Sequence, residues 1–150
     1  MFKTKNIIIF FSSLAILLLV FLYIFANDHF IFGNRVEKIG INGHIFKVEI
    51  VSEKEKMQKG LGGRKDLCRE CGMLFQFNET GRYGFSMKNM SFPLDFLWVL
   101  DGKIVHIEKN IPADFRGLLV PKLQADQVLE INAGLVDKMN IQTGNELRFL

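Results

Sequence analysis

The feature that most constrains this chain is an apolar run near its N-terminus. Residues 7–25 contain only two polar side chains, Ser12 and Ser13, whose hydroxyls can bond to the preceding helical turn. As a helix the run would be about 28 Å long, close to the roughly 30 Å of a bilayer's hydrocarbon core. We therefore expect residues 1–26 to form an N-terminal transmembrane helix.

The charges that flank this run predict its orientation. Lys3 and Lys5 precede it, whereas Asn27 and Asp28 follow it. Because basic residues accumulate on the cytoplasmic side, we expect a single-pass cell-membrane protein with a cytoplasmic N-terminus and an extracytoplasmic domain. The alternative is a signal peptide cleaved after Ala26, which would export the same domain. The intact mass of the mature protein distinguishes the two.

The remaining charges argue against a nucleic-acid partner. The chain has 19 Lys and Arg against 16 Asp and Glu. Two of those cations are Lys3 and Lys5, which lie within residues 1–26. The rest of the chain is therefore almost neutral, without the clustered positive charge of nucleic-acid-binding proteins. Its length suits one core. We predict a linker at residues 27–35 and a single domain at residues 36–150.

Short apolar runs separated by turn residues predict a mainly β domain. Asn42-Gly43 and Asp101-Gly102 suit two-residue hairpin turns, which need positive φ at both positions. Ser52 followed by Glu55 predicts a capping box and a short helix that ends at Gly60. The runs give about eight strands, at residues 36–41, 44–51, 73–77, 83–87, 96–100, 103–109, 128–132 and 146–150.

The intervening segments complete this prediction. Residues 78–81 have the composition of a turn, residues 110–127 that of a long loop, and residues 135–139 that of a helical turn. Loops of such length are often functional. The expected fold is a small β-sandwich or barrel-like domain with one or two short helices.

A series of short motifs in this domain resembles one known family. The motifs are Gly60-Leu61, Arg64, Leu67, Gly72-Met73-Leu74-Phe75, Phe85, Met87-Lys88-Asn89, Pro93-Leu94-Asp95 and residues 128–134. Together they resemble the domain of unknown function family 192. The resemblance implies a compact, mostly β fold, often behind a signal or membrane helix, and it brings no established activity, cofactor or catalytic residue.

The sequence departs from the usual family pattern at three positions. Ser86 stands where the family usually has Trp, Met90 where it often has Thr, and Met57 where Arg is frequent before the Gly-Leu pair. A pocket that relies on that Trp or Arg is therefore not expected in the same form here.

Cys68 and Cys71 form the most conspicuous reactive motif. Outside the membrane such a pair tends to be oxidised, although a disulfide across so short a ring adds little stability. Redox pairs usually begin a helix, whereas Cys71 leads directly into a strand. A zinc site needs about four ligands, and His29, His44 and His106 are scattered. We predict a structural disulfide or inert thiols, with redox chemistry and metal binding as alternatives, and we expect no metal or cofactor.

Lys88, Asn89 and Asp95 form a second candidate site. Asp95 adjoins an apolar strand, so its carboxylate needs a partner, and Lys88 or the amides of the connecting turn can serve. One hypothesis is a structural tie that fixes the turn, as is usual for buried polar groups. The other is a pocket rim at which Lys88 and Asn89 donate to an anionic or hydroxylated ligand. Arg64 is a further ligand-binding candidate.

Glu130 and Asn132 alternate with Leu129 and Ile131, so they share one face of their strand. We expect that face to be exposed to solvent. Together with Asp95, Glu130 can also be interpreted as half of a hydrolytic carboxylate pair.

These observations favour a non-enzymatic, membrane-tethered extracytoplasmic module that binds a small ligand or an envelope protein. One alternative is a cell-envelope enzyme that uses either the thiol pair or the two carboxylates. The other is a structural partner of a membrane protein, with residues 110–127 as the contact surface. The candidate ligand-binding residues are Arg64, Lys88, Asn89, Asp95 and Glu130.

Overall fold

The structure is a computed structural model that describes residues 33–150 and, before them, only Ile16, Leu17 and Leu19. The predicted membrane helix therefore lies largely outside the described residues, as does most of the predicted linker. Within the described part of the chain, no helix combines the length and apolar character needed to cross a bilayer.

Strands dominate residues 33–150, which confirms the expectation of a mainly β fold with short helices. The elements in chain order are β1 (Arg35–Ile41), β2 (His44–Val51), α1 (Lys54–Lys59), β3 (Cys71–Gly81), β4 (Leu94–Leu100), β5 (Lys103–Ile111), β6 (Ala125–Asn132), α2 (Leu135–Lys138) and β7 (Leu147–Phe149).

All seven of these strands belong to one sheet with the order β5-β4-β6-β3-β2-β1-β7. The β2–β3 pair is parallel and the other neighbours are antiparallel. Lys103 of β5 forms an isolated bridge with Glu146, just before β7, and the Leu147 N–H donates to the Gly102 carbonyl at 2.8 Å. The sheet therefore curls into a half-barrel whose edge strands meet at one end, so the described strands form a barrel-like sheet rather than two stacked sheets.

The inner face of the half-barrel carries the main apolar core. Alternate residues of each strand point there, as the two-residue period of a strand requires, and α2 packs against them. Leu97 of β4 and Leu129 of β6 are paired across the sheet, and both are fully buried. The other large members of this core are Ile39, Ile41, Phe46, Val48, Leu74, Val99, Ile104, Ile131 and Met139.

The outer face of the sheet is covered by two connecting segments rather than by solvent. Residues 52–70 join β2 to β3, and residues 82–93 join β3 to β4. Leu61 and Met87, one from each segment, are 1% exposed. The Phe85 ring meets the Phe75 ring edge-on, with the ring centres 4.9 Å apart. These contacts bury the apolar side chains on this face.

The predictions of the two hairpin turns and of the end of α1 are confirmed, and the capping prediction is wrong. Asn42-Gly43 and Asp101-Gly102 have positive φ at both positions, and α1 ends at Gly60. The N-cap residue of α1 is Glu53, not Ser52, and its side chain makes no capping hydrogen bond.

The predictions of a turn at residues 78–81, a strand at residues 83–87 and a loop at residues 110–127 are also corrected. Residues 78–81 are not a turn, because β3 runs on to Gly81, which pairs with Ala125 after a shift in register. Residues 83–87 are not a strand and contribute only the bridge between Phe85 and Leu119. Aromatic residues alternate in this segment because it packs on the sheet, which imitates a strand pattern. The predicted long loop shortens to residues 112–124 because β5 and β6 extend into it.

Candidate functional site

An open cavity of about 750 Å³ lies between the two segments that cover the outer face. One side is formed by α1 and the glycine-containing loop after it, the other by residues 83–90, and the sheet forms the floor. Pockets that bind small molecules typically measure about 300–1,000 Å³. The cavity therefore has the size of a ligand site.

A close backbone contact holds the two sides of the cavity together. The Gly63 N–H donates to the Asn89 carbonyl at 2.9 Å. A Cβ atom on Gly62 would lie 2.9 Å from the Lys59 carbonyl oxygen and 3.5 Å from that of Lys88. The loop can approach this closely because residue 62 has no side chain.

Aromatic rings form much of the cavity wall. Phe75, Phe77, Tyr83 and Phe85 all line it. The Phe77 and Tyr83 rings are stacked, with an interplanar angle of 6°. Behind the wall, the indole N–H of Trp98 donates to the Tyr83 carbonyl at 2.9 Å. This indole therefore fixes the backbone of one wall residue.

Glu130 is the buried polar group that lines this cavity. It lies on β6, paired with Met73 of β3 and Phe96 of β4, and is 5% exposed. Among the described residues, its Oε2 atom has no hydrogen-bond partner. Burial raises the pKa of Glu130 to about 8, and the positive charge of Arg64 opposes this rise. At neutral pH the side chain is therefore mostly a neutral carboxylic acid, which can donate a hydrogen bond into the cavity.

Arg64 neutralises a second buried acid, Glu49, on the same face of the sheet. Its two terminal nitrogens lie 2.6 and 2.9 Å from the two carboxylate oxygens, and Asn34 Nδ2 donates to Glu49 Oε2 at 2.7 Å. The Glu49 side chain is fully buried, and that of Arg64 is 11% exposed. The cavity lining does not include Arg64, so this sequence candidate lies beside the cavity and ties the covering loop to β2.

Lys88, Asn89 and Glu130, three of the candidate ligand-binding residues, all line the cavity. Lys88 and Asn89 are exposed at the rim, while Glu130 lies at the base. The structure thus brings together residues more than 40 positions apart in the chain.

Asp95 does not line the cavity, and its carboxylate instead binds backbone groups of two other elements. Its two carboxylate oxygens accept the backbone N–H groups of Asn110, at 2.7 Å, and of Val136, at 3.0 Å. The predicted partner Lys88 is not among them. Asp95 pairs with Ile131 on β6, so it faces the side of the sheet opposite Glu130 and does not share one site with it.

Cys68 and Cys71 are joined by a disulfide, in the loop that leads into β3. Asn132 supports this loop, because its Nδ2 atom donates to the Cys68 carbonyl at 2.9 Å. The expectation that Glu130 and Asn132 face solvent is wrong, since β6 is a central strand whose outer face is covered. Within residues 33–150, no group of three His, Cys, Asp or Glu side chains is arranged to hold a metal ion.

Sequence reasoning missed Glu49 and most of the aromatic wall. Glu49 alternates with apolar residues as a solvent-facing strand residue does, so no local signal marks it as buried. The three positions that depart from the family pattern did mark the location of the cavity. Met57, Ser86 and Met90 all line the cavity.

The fold and the cavity define a class of small, mainly β half-barrel domain with a pocket on its covered outer face. Residues 36–149 match the sequence pattern of the family described as "Uncharacterized ACR", which is DUF192. The chain belongs to this family, as its motifs indicated.

Two crystal structures resemble the chain. A Sinorhizobium meliloti protein described as a candidate transcription regulator shares 30% identity, with a TM-score of 0.74 over 77% of this chain and 95% of that one. A Novosphingobium aromaticivorans protein of unknown function shares 28% identity, with a TM-score of 0.75 over 79% of this chain and 88% of that one. No curated protein matches the sequence.

Proposed function

We propose that this domain is a non-enzymatic binding module whose cavity takes a small organic ligand. The observation that carries the proposal is the carboxyl group of Glu130, which is buried at the base of an open cavity and has an oxygen without a hydrogen-bond partner among the described residues. Buried polar atoms are nearly always satisfied. A ligand group that bonds to this oxygen would remove the cost of leaving it unpaired.

The surroundings of Glu130 also support a ligand site. Apolar and aromatic walls with a few converging polar groups are typical of small-molecule pockets. A catalytic role receives less support, because Asp95 and Glu130 face opposite sides of the sheet and the two cysteines are already bonded to each other. The near balance of charge beyond the apolar segment likewise gives no reason to extend the regulator description of the Sinorhizobium relative to this chain.

The proposal includes a membrane tether, with the domain on the extracytoplasmic side. It rests on the apolar run at residues 7–25 and on the charges beside it. A tether would confine the domain to a thin layer near the bilayer and so raise its effective concentration toward ligands or partners there. An envelope protein is the alternative partner.

A thermal-shift screen of the full chain against envelope metabolites and sugars tests the binding function. A ligand that binds the folded state raises the melting temperature. Ser86 lines the cavity and Ser91 does not, and both are exposed, so Ser86→Trp and Ser91→Trp form a matched pair. We expect Ser86→Trp to fill the cavity and abolish the shift, and Ser91→Trp to retain it.

Two results would contradict the proposal. One is a screen without any stabilising compound, which would favour a protein partner. The other is a shift that survives in Ser86→Trp, which would place the ligand outside the cavity.

A further inference from the structure

We infer that the ligand of this cavity is a small amphipathic anion, with an apolar or aromatic body and one carboxylate-type group. This inference rests on the proposed binding function and specifies the chemical class of the ligand. It follows from the charges at the rim, the rings of the wall and the unpartnered acid at the base.

The wall favours an apolar or aromatic body. Phe77 and Tyr83 present a stacked pair of rings at the cavity, and aromatic side chains contribute large apolar contact areas. Met57 and Met90 also line it. Their flexible thioether side chains can adapt to irregular apolar groups. A strongly polar ligand such as an inorganic ion would leave this surface unused.

The rim favours a negative charge. Lys54, Lys59 and Lys88 all line the cavity, and none of their ammonium groups is in an ion pair with a described residue. By contrast, the neighbouring Lys56 pairs with Glu53 at 2.9 Å. Glu130 is the one acid among the lining residues. Three cations that converge on one opening attract anions.

The base of the cavity is compatible with an anion because Glu130 need not carry a charge. Burial favours its neutral form, and a neutral carboxyl donates to a carboxylate oxygen. An anion bound nearby would favour the protonated form further, since like charges disfavour ionisation. A cationic ligand would instead be repelled by the three ammonium groups at the rim.

Trp98 provides a direct readout of binding. It is the chain's only tryptophan. Its indole N–H is bonded to the Tyr83 carbonyl, and its ring centre lies 6.1 Å from that of Phe85. Because Tyr83 and Phe85 line the cavity, a ligand that moves either of them should change the emission of Trp98.

The test compares three probes that share one aromatic body, namely phenylacetate, phenylacetamide and phenethylamine. Each is titrated into the full chain in maltoside micelles, whose uncharged head groups do not compete for lysine side chains. We expect phenylacetate to bind at least about tenfold more tightly than phenethylamine, as one charge-assisted contact would give.

Lys88→Gln and Lys138→Gln are matched variants for this titration. Lys88 lines the cavity, whereas Lys138 is an exposed residue of α2 that does not. We expect Lys88→Gln to weaken phenylacetate binding by about tenfold and to leave phenylacetamide binding unchanged. Lys138→Gln should affect neither probe.

The failure of this inference can be distinguished from failure of the binding function. Equal or tighter binding of phenethylamine overturns the anion preference while the cavity remains a ligand site. An unchanged preference for phenylacetate in the triple variant Lys54→Gln/Lys59→Gln/Lys88→Gln overturns the inference that the lysines at the rim select the anion. If no probe binds, the inference is overturned, and the binding function fails with it only if the wider screen is also empty.

Discussion

Three carboxylates are buried in this domain, and each is accommodated by a different physical means. Glu49 is paired with the guanidinium of Arg64, and Asp95 accepts two backbone N–H groups. Glu130 has neither arrangement, and its raised pKa shows that burial favours the protonated form. The first two therefore stabilise the fold, whereas Glu130 is the unpartnered acid on which the proposed ligand site rests.

Glu130 should make the stability of the domain depend on pH. Its pKa rises from 4.5 to about 8 on folding, so between these values the folded state retains a proton that the unfolded state has released. The contribution of Glu130 to stability should therefore be fully present below about pH 4.5 and be lost as the pH rises toward 8, with a slope that approaches about 1.4 kcal/mol per pH unit. Arg64, by favouring the ionised form, narrows the pH range over which this loss occurs.

Chemical denaturation of the wild type and of Glu130→Gln across this range measures the effect. Gln has nearly the same shape and does not titrate, so the difference in unfolding free energy between the two proteins should change with pH as described. Glu79→Gln, at an exposed position of β3, is the control. A difference that stays constant from pH 5 to 8 would show that Glu130 has an ordinary pKa.

Arg64 should be essential for stability because of the acid that it neutralises. Arg64→Gln would leave the Glu49 carboxylate buried without its main counter-charge, which typically costs about 3–5 kcal/mol. Urea denaturation of Arg64→Gln is compared with that of Arg35→Gln. Arg35 forms an exposed ion pair with Glu37, so its replacement should change the unfolding free energy little. If the double variant Glu49→Gln/Arg64→Gln is no more stable than Arg64→Gln, the unpaired charge is not the cause.

At the scale of elements, Asp95 joins three parts of the chain. It belongs to β4, and its carboxylate binds the backbone at the end of β5 and in the first turn of α2. The four residues of α2 are too few to form a stable helix alone. The tie to Asp95 and the packing of Leu135 and Val136 in the core therefore determine its position.

Asp95→Asn should be strongly destabilising even though it changes one atom. Asn has one acceptor oxygen, so its NH₂ group would face one of the two backbone donors. The unfolding free energy should fall by about 2–3 kcal/mol, since a charge-assisted hydrogen bond is lost and a backbone donor is left unpaired. Asp101→Asn, at an exposed turn position with positive φ, is the control that should melt like the wild type. Equal melting of the two variants would refute the structural role of Asp95.

The disulfide should contribute little to the stability of the loop that carries it. Cys68 and Cys71 close a ring of only a few residues, for which the loss of unfolded-chain entropy is worth about 2 kcal/mol at most. Asn132 also holds this loop through the carbonyls of Leu67, Cys68 and Arg69. Melting of the Cys68→Ser/Cys71→Ser variant beside the wild type measures the effect. A loss of reductant-dependent activity in that variant would instead support the redox alternative.

At the scale of the whole molecule, the half-barrel places the apolar core and the proposed ligand cavity on opposite faces of one sheet. The inner face of the sheet carries the continuous apolar core, and the outer face carries Glu49, Glu130 and the aromatic wall under the two covering segments. In the proposed function, a ligand would therefore enter between the covering segments without contacting the core.

The proposed topology makes a prediction for intact cells. If residues 1–26 anchor the chain with its N-terminus inside, protease added to intact spheroplasts should digest the C-terminal domain. Immunoblotting with an antibody to the domain, beside one to a cytoplasmic protein as the control, measures this. Protection of the domain before lysis and digestion afterwards would contradict the extracytoplasmic location.

The sequence by itself determined the features that depend on neighbouring residues. The two hairpin turns follow from Asn42-Gly43 and Asp101-Gly102, and the end of α1 follows from Gly60, because these residues control the local backbone. The mainly β class and the family could also be inferred, and so could the presence of Lys88, Asn89 and Glu130 in a candidate site.

Only the tertiary structure decided which face of each strand is covered. Glu49 and Glu130 have the alternating pattern of solvent-facing residues, yet both are buried, because residues 52–70 and 82–93 cover the outer face of the sheet. The parallel β2–β3 pairing brings the glycine loop over the sheet, and no local pattern encodes that pairing. Burial, and with it the protonation of Glu130 and the pairing of Glu49 with Arg64, depends on contacts between residues far apart in the chain.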